Sequence, residues 1–520
     1  MLKQYKSTTS RTVLSVLLLT VATALTRIWP AVYRLVPFGF DHGKDSIAVL
    51  SMLVTHTPKL IGPWTSIPGV FFGPGWYYLL LPGFAISGGD PVSAAWIMIV
   101  ISLVQSLLVW RVWGLRGALV VSLMPMYIIT STSAWNPYPM TLISFVLLAV
   151  TWQLAETKKL SDGRSLLFGL IAGLGFHFSA AFSIFYLPLV LCVPFFFKLK
   201  QKIRTTAAII AGLILSFLPQ LLFELRHSFV ETKALLQYFS QGEPHTLSIT
   251  KIMTVIQTVA GEISLGVFPG MNGNAPFFRI ANVLTAVFVF LFSAYFFRLW
   301  WKKSTQWQRR WLLYVLFFLI PVPIIGYFFL HFNVWYVYGM APIATLLIVL
   351  ALKKAPTWAA ALFLSVFMIT SGWNLLQYFT IELPEHQQSK TMLASKEKVL
   401  DFIVQDASGQ PFAMYTFVPD IYDYSYQYLW FRRAFQGGEL PVDFSYRSGT
   451  TDYITDKGAL LQHFTQQKGT PAYVYFVIEQ PNEGRVFDDW WSMQSYGEVV
   501  GQYAIGKDIL VIKAEAPIQQ

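Results

Sequence analysis

The stretch Thr12-Val-Leu-Ser-Val-Leu-Leu-Leu-Thr-Val-Ala-Thr-Ala-Leu-Thr-Arg-Ile-Trp29, followed after Pro30–Pro37 by Phe38-Gly-Phe-Asp41-His42-Gly43-Lys44-Asp45-Ser46, decides how this chain is read. The first part is apolar enough, and long enough as a helix, to cross roughly 30 Å of hydrocarbon. Lys3, Lys6 and Arg11 precede it, and basic residues are retained in the cytoplasm, so the N-terminus is expected inside. Asp41 and Asp45 then emerge on the outer face, at the membrane–water boundary. Carboxylates are costly there unless they are solvated, paired or used. No small-x-small cleavage site follows the span, and Arg27, Trp29 and Pro30 read as an interfacial anchor.

The rest of the chain repeats the first signal. Apolar residues are 55% of 520 and charged residues 12%. Separate long apolar runs exclude a β-barrel, whose strands alternate over short segments. The spans fall near 12–30, 93–112, 115–132, 138–156, 165–178, 181–197, 205–223, 277–299, 311–330, 334–352 and 357–375, about eleven in all. With that threading, every alternate connection is basic: Arg111/Arg116, Lys158/Lys159/Arg164, Lys198 to Arg204, Arg298 to Arg310, and Lys353/Lys354. The formal charge of +11 is thereby spent on inside loops, which argues against a nucleic-acid partner. The single Cys192 excludes an internal disulfide framework.

The expected fold is a polytopic α-helical membrane protein of the cytoplasmic membrane with a small α/β domain after it. Residues 1–378 form the membrane module, with long external loops at 31–92 and 224–276; such loops on a rigid scaffold tend to carry function. Val70–Ile86 is broken by Gly73-Pro74-Gly75 and Pro82-Gly83, and reads as re-entrant or surface-lying. Residues 379–520 regain charge and turn residues. Strand-like pieces (Phe412–Val418, Tyr473–Ile478, Asp508–Lys513) alternate there with helical ones (Lys396–Ala407, Tyr422–Phe435), giving an extracytoplasmic α/β domain.

Chemistry concentrates in the first external loop. Ile47, Val49, Leu50, Leu53 and Val54 make an apolar stripe, so Phe40–Val54 is expected as an amphipathic helix on the membrane surface. Asp41 is then either an N-cap, with Asp45 favoured by the helix dipole, or a general base at the mouth of an intramembrane cleft. Lys44 can pair with either acid or with a phosphate. Gly73 and Pro74 shape the loop backbone for close approach to substrate. Arg226 and His227 open the second long loop, where they either hold a lipid phosphate or anchor a span. His177 is an ionisable group between apolar spans, functional by default but open to a packing role. Asn136 precedes Pro137 and either starts a helix or binds substrate. Tyr336 and Tyr338 fit an aromatic belt as well as a binding site. No His/Asp/Glu cluster has metal-ligand spacing, so no cofactor is expected; a divalent metal lacks support, and Asp488-Asp489 reads as a solvated turn.

The motifs Gly62-Pro63-Trp-Thr-Ser, Phe72-Gly73-Pro74-Gly-Trp76-Tyr77-Tyr78-Leu, Trp135-Asn136-Pro137, Gly175-Phe-His177-Phe-Ser179, Phe223-Glu224-Leu-Arg226-His227 and Trp335-Tyr336-x-Tyr338-x3-Pro342, in that order, resemble the GT-C glycosyltransferases. The bacterial members of the protein O-mannosyltransferase and aminoarabinose-transferase superfamily are the most similar. The resemblance covers roughly residues 10–350. It implies a GT-C fold, a polyprenyl-phosphate sugar donor, a lipid, glycan or protein acceptor, and an Asp base early in the first external loop. Asp41 matches that position best and Asp45 second, with Tyr77 joining the substrate-binding set. His42 follows Asp41 where the eukaryotic mannosyltransferases carry Asp-Glu. Lys44 stands three after Asp41, as a basic residue does in the aminoarabinose transferases. The expected reaction inverts the sugar's anomeric centre. The competing readings are a transporter or flippase, a polymerase or ligase of lipid-linked saccharides, and a membrane-anchored scaffold. A transporter predicts paired half-repeats, and none is visible in the sequence.

Overall fold

The computed structural model describes residues 2–157, 159–241, 248–269, 276–382, 388–419, 422–450 and 452–517. Seven of its helices are long and apolar enough to cross a bilayer: Thr12–Val32, Val92–Trp113, Met140–Thr157, Ile280–Lys303, Gln306–Phe329, Val334–Leu352 and Thr357–Gln377. The chain is a multi-pass membrane protein. The other expected spans are helical but interrupted. Residues 115–132 split into Leu115–Leu123 and Pro125–Ser131, with Met124 held extended (ψ 120°) because a proline disfavours helical backbone in the residue before it. Lys202–Ser216 and Leu218–Arg226 meet at 57°, again at a proline, Pro219, in the second helix's first turn. Asp162–Leu174 ends in the single turn Gly175–His177, and the next stretch is divided into Ala180–Ser183 and Tyr186–Phe196.

Two expectations about the first span and the helix that follows it are overturned. Arg27 is not an interfacial anchor: it is fully buried, and its guanidinium donates to Ser131 Oγ at 2.8 Å and to the Ser122 carbonyl at 2.9 Å. The first helix is thereby tied to the Leu115–Leu123 and Pro125–Ser131 pair. Nor does the helix Phe40–Thr55 lie on the membrane surface. Every residue from Gly43 to Met52 is buried, because Gly75–Ser87 covers one side and Tyr424–Phe435 of the C-terminal region covers another. Its polar residues Lys44, Asp45, Ser46 and Ser51 are buried within the protein rather than exposed to water.

The C-terminal region contains a five-stranded sheet, β1 (Phe412–Phe417), β2 (Asp443–Ser445), β3 (Tyr473–Glu479), β4 (Val499–Ile505) and β5 (Ile509–Glu515), in the order β2-β1-β3-β5-β4. The first three strands are parallel; β5 runs antiparallel to both β3 and β4. Leu393–Ala407 and Tyr424–Phe435 are the expected helices. β2 is three residues long and β4 is an exposed edge, so neither carries the apolar run that betrays a strand in sequence. Asp488 and Asp489 lie on a short helix, Arg485–Ser492, rather than in a turn.

This region is bolted to the first long loop. Phe38 N–H donates to the Thr391 carbonyl at 2.8 Å and Leu393 N–H to the Val36 carbonyl at 3.0 Å. Arg34 bridges Asp90 (2.8 Å) and Glu397 (2.5 Å), and Arg432 reaches the same two carboxylates. Lys59 pairs with Asp456 at 2.7 Å. Glycine is required at the centre of the seam: a β-carbon on Gly43 would overlap the backbone of Ser425.

Candidate functional site

At the end of the bundle that carries the C-terminal sheet, a largely apolar cavity of about 870 Å³ opens beside the start of helix Phe40–Thr55. Its size is that of a small-molecule site. Phe40, Asp41 and Lys44 form its head. A strap, Pro63–Phe72, covers it, closed on itself by a Trp64–Phe71 antiparallel bridge. Asn136 and Trp135 line one wall, Glu231, Leu235, Tyr238 and Phe239 another, and Tyr336 a third. Tyr422 reaches it from the C-terminal region.

The head is built by the helix start. Gly39, not Asp41, is the N-cap, and His42 Nδ1 accepts the Gly39 N–H at 3.4 Å. Burial holds the His42 imidazole well below its ordinary pKa, so it is neutral. Asp41 is left free of capping in the first turn, facing the cavity. Its Oδ1 accepts from Lys44 Nζ and its Oδ2 from Trp135 Nε1, each at 3.1 Å. Lys44 is itself nearly enclosed, its ammonium 5.3 Å from the ring centres of both Phe40 and Trp64. Trp135 is held in turn by Tyr138, Tyr338 and Trp335. The result is a carboxylate fixed by an indole and an ammonium, with an aromatic surround that lowers the local dielectric.

Asp45 faces elsewhere. It lies outside the cavity lining, on a void of about 20 Å³ that it shares with His42, Ser46 and Trp76. Trp76 Nε1 donates to its Oδ2 at 2.9 Å, while Oδ1 has no hydrogen-bond partner among the described residues. Burial pushes this carboxyl up to about 7 against the pull of Lys44. One helical turn of 3.6 residues separates the two acids, yet one opens on the cavity and the other on the helix's packed side.

The remaining sequence candidates divide. Lys44, Asn136 and Tyr336 line the cavity. Asn136 donates to the Phe178 carbonyl at 2.8 Å, and the Tyr336 hydroxyl meets Ser66 Oγ of the strap at 2.7 Å. Gly73, Pro74, Tyr77, His177, Arg226 and His227 do not line it. His177 is a buried brace: Nδ1 accepts the Gly75 N–H at 2.9 Å and Nε2 faces the Ser216 carbonyl at 3.0 Å. A β-carbon on Gly73 would overlap that imidazole, so the glycine serves the brace rather than a ligand. Tyr77 is buried among Asp45, Asp456 and Asp41. Arg226 and His227 are exposed, and His227 stacks on Phe223 at 4.1 Å. The functional signal of Phe223-Glu224-Leu-Arg226 lies in Glu224, whose carboxylate accepts the Glu231 and Thr232 N–H groups at 2.8 and 3.0 Å and so starts helix Val230–Gln241.

Sequence reading missed Trp64, Trp135, Glu231 and Tyr422 as lining residues. The two tryptophans sit inside motifs that were noticed, Gly62-Pro63-Trp64 and Trp135-Asn136-Pro137. Nothing in the sequence marks Tyr422. Among the described residues no three His, Cys, Asp or Glu side chains converge in a way that could hold a metal ion.

No protein-family model and no curated protein sequence matches this chain. Solved structures do. The crystal structure of ArnT from Cupriavidus metallidurans bound to undecaprenyl phosphate superposes over 97% of this chain and 98% of its own, with a TM-score of 0.58 at 12% sequence identity. The apo state of the same protein gives 0.56 at 11% identity, covering 98% of each chain. The chain has the fold of this ArnT, from the first helix through the C-terminal sheet.

Proposed function

We propose that this protein is a GT-C glycosyltransferase that moves a sugar from a polyprenyl-phosphate carrier to a hydroxyl of a lipid, glycan or protein acceptor on the outer face of the cytoplasmic membrane. The N-terminus is cytoplasmic in this reading, and residues 379–520 form the extracytoplasmic domain after the membrane module of residues 1–378. The observation that carries the proposal is the Asp41–Lys44 pair at the head of an apolar cavity. An apolar enclosure with one carboxylate and one ammonium suits a donor with a hydrocarbon tail and a phosphate head. The ArnT structure of the same fold holds such a lipid, undecaprenyl phosphate.

Asp41 takes the proton of the acceptor hydroxyl as its oxygen bonds to the anomeric carbon. The bond from that carbon to the phosphate oxygen breaks, and its electron pair leaves with the polyprenyl phosphate. The leaving oxygen is a weak base and needs no general acid. Lys44 compensates the growing phosphate charge, reinforced by the N-terminal end of helix Phe40–Thr55. Attack opposite the leaving group inverts the anomeric centre. Trp135 keeps the carboxylate aimed. Asp45, sealed behind the helix, acts as a packing residue that fixes Trp76.

The test supplies membranes containing the protein with radiolabelled polyprenyl-phosphate hexoses and pentoses and follows label into lipid, glycan and protein fractions. Transfer of label that requires the protein is the expected result; intact donors throughout would exclude the transferase.

A further inference from the structure

Glu231 has no part in the mechanism above, yet it occupies a singular position. Capping by Glu224 sets the start of helix Val230–Gln241 so that residues 231, 235, 238 and 239 present one face to the cavity. Three of them are Leu235, Tyr238 and Phe239; Glu231 is the carboxylate in an otherwise apolar or aromatic wall. It is only 6% exposed. Its Oε1 accepts the Phe71 N–H at 2.8 Å, and no cation pairs with it among the described residues. The Phe71 bond is to Oε1 alone, so no hydrogen bond among them reaches its other oxygen, and the residue lines the cavity.

A second acceptor lies beside it. Gln220 also lines the cavity and donates Nε2 to the Phe71 carbonyl at 3.3 Å, which fixes the amide's orientation. Its Oε1 is then left buried and without a partner among the described residues. The backbone of Phe71 is thus gripped from both sides by polar side chains, each with an acceptor oxygen to spare. Two spare acceptors repel a phosphate, which is itself acceptor-only, and match a group that donates: the hydroxyls of a sugar. The strap separates this pair from Lys44, since Phe71 bridges Trp64 and Trp64 lies over the ammonium. A phosphate on Lys44 and a sugar ring reaching toward Phe71 therefore divide the cavity by chemistry.

We propose that Glu231, with Gln220 beside it, is a specificity-determining residue that accepts hydrogen bonds from hydroxyls of the transferred sugar. The inference rests on the glycosyltransferase reading and goes beyond it by assigning the sugar subsite. Burial and the nearby Glu224 push the Glu231 carboxyl up to about 7; hydroxyl donors favour its ionised form.

The test compares wild type with Glu231→Gln, which retains an acceptor for the Phe71 N–H. Polyprenyl-phosphate hexoses and pentoses and their mono-deoxy forms serve as donors, with thermal melting measured alongside. The expected result is a KM raised at least tenfold for the hydroxylated donor preferred by wild type, about the weight of a hydrogen bond to a charged group. The preference over its deoxy form should collapse, with kcat changed less and melting unmoved. Unchanged KM and unchanged donor preference would overturn the assignment while leaving the transferase reading intact. If wild type consumes none of these donors, both readings fall.

Discussion

Asp41→Asn is the sharpest perturbation of the proposed chemistry, because asparagine keeps the shape and loses only the basicity. Its Oδ1 can still accept the Trp135 indole N–H that Asp41 accepts at 3.1 Å. The lost partner is Lys44, at 3.1 Å, in a pair whose carboxylate side chain is 41% exposed. Lys44 is only 10% exposed and is left without its carboxylate partner, so stability should fall by about 1–3 kcal/mol. Catalysis is different. A positioned general base contributes about 10²- to 10⁴-fold, equivalent to about 3–5 kcal/mol of barrier. Donor KM should stay within about threefold, since Lys44 remains between Phe40 and Trp64 and still meets the phosphate. The assay is initial-rate transfer of labelled sugar from a short-chain polyprenyl phosphate by purified protein in detergent, with Asp45→Asn run in parallel. Asp45 does not reach the cavity, so its variant should keep kcat within about fivefold. If Asp41→Asn retains a tenth or more of wild-type kcat while Asp45→Asn is inactive but folded, the assignment of the base is wrong.

The same Asp45→Asn variant carries a pH prediction. The carboxyl's folded pKa of about 7 lies above its ordinary value of 3.8, so between those values the folded state holds a proton that the unfolded state has released. Wild-type stability therefore falls as pH rises through this window, by up to about 1.4 kcal/mol per pH unit, and levels off above pH 7. The asparagine variant should show a shallower fall in melts at pH 5, 6 and 7.5, keeping the share that belongs to Glu231, whose carboxyl is also pushed up to about 7; parallel curves would refute the buried acid. Gly43→Ala places a methyl against the Ser425 backbone and should cost about 1–3 kcal/mol by overpacking. A lower melting temperature together with faster proteolysis around residues 418–425 would confirm the seam, and wild-type behaviour in both would argue against it. His177→Ala leaves the Gly75 N–H without its acceptor. A loss of about 2–4 kcal/mol is expected from the unpaired donor and the void, and a variant as stable as wild type would deny His177 its bracing role.

The charge of the loops and the length of the apolar runs made the membrane class legible, because both respond to the bilayer and not to neighbouring helices. The first-loop carboxylates were legible as a pair in an expensive place. Their division was not. Asp41 and Asp45 share one helix and one helical turn, and only the packing of Gly75–Ser87 and Tyr424–Phe435 decides which acid meets the cavity. Arg226 and His227 read as a phosphate site because arginine offers bidentate donors, and His177 as functional because an ionisable group between apolar spans is costly. Arg226 and His227 are exposed and outside the cavity lining, and His177 has two backbone partners.

Glu231 shows the opposite failure. An acid in the first turn of a helix is ordinary in sequence, and its meaning arises from the strap folding over it and from the cavity beneath. Tyr422 lies far along the chain from every other lining residue, so no spacing could have announced it. What the sequence by itself determined is the solvent each segment must satisfy, since hydrophobicity and charge are properties of residues. Tertiary structure alone decided which polar atoms are left without partners and face the same space. That depends on how helices stop, bend and seat, as at Pro125, Pro219 and Gly43, and it is there that Asp41, Lys44 and Glu231 come to line one cavity.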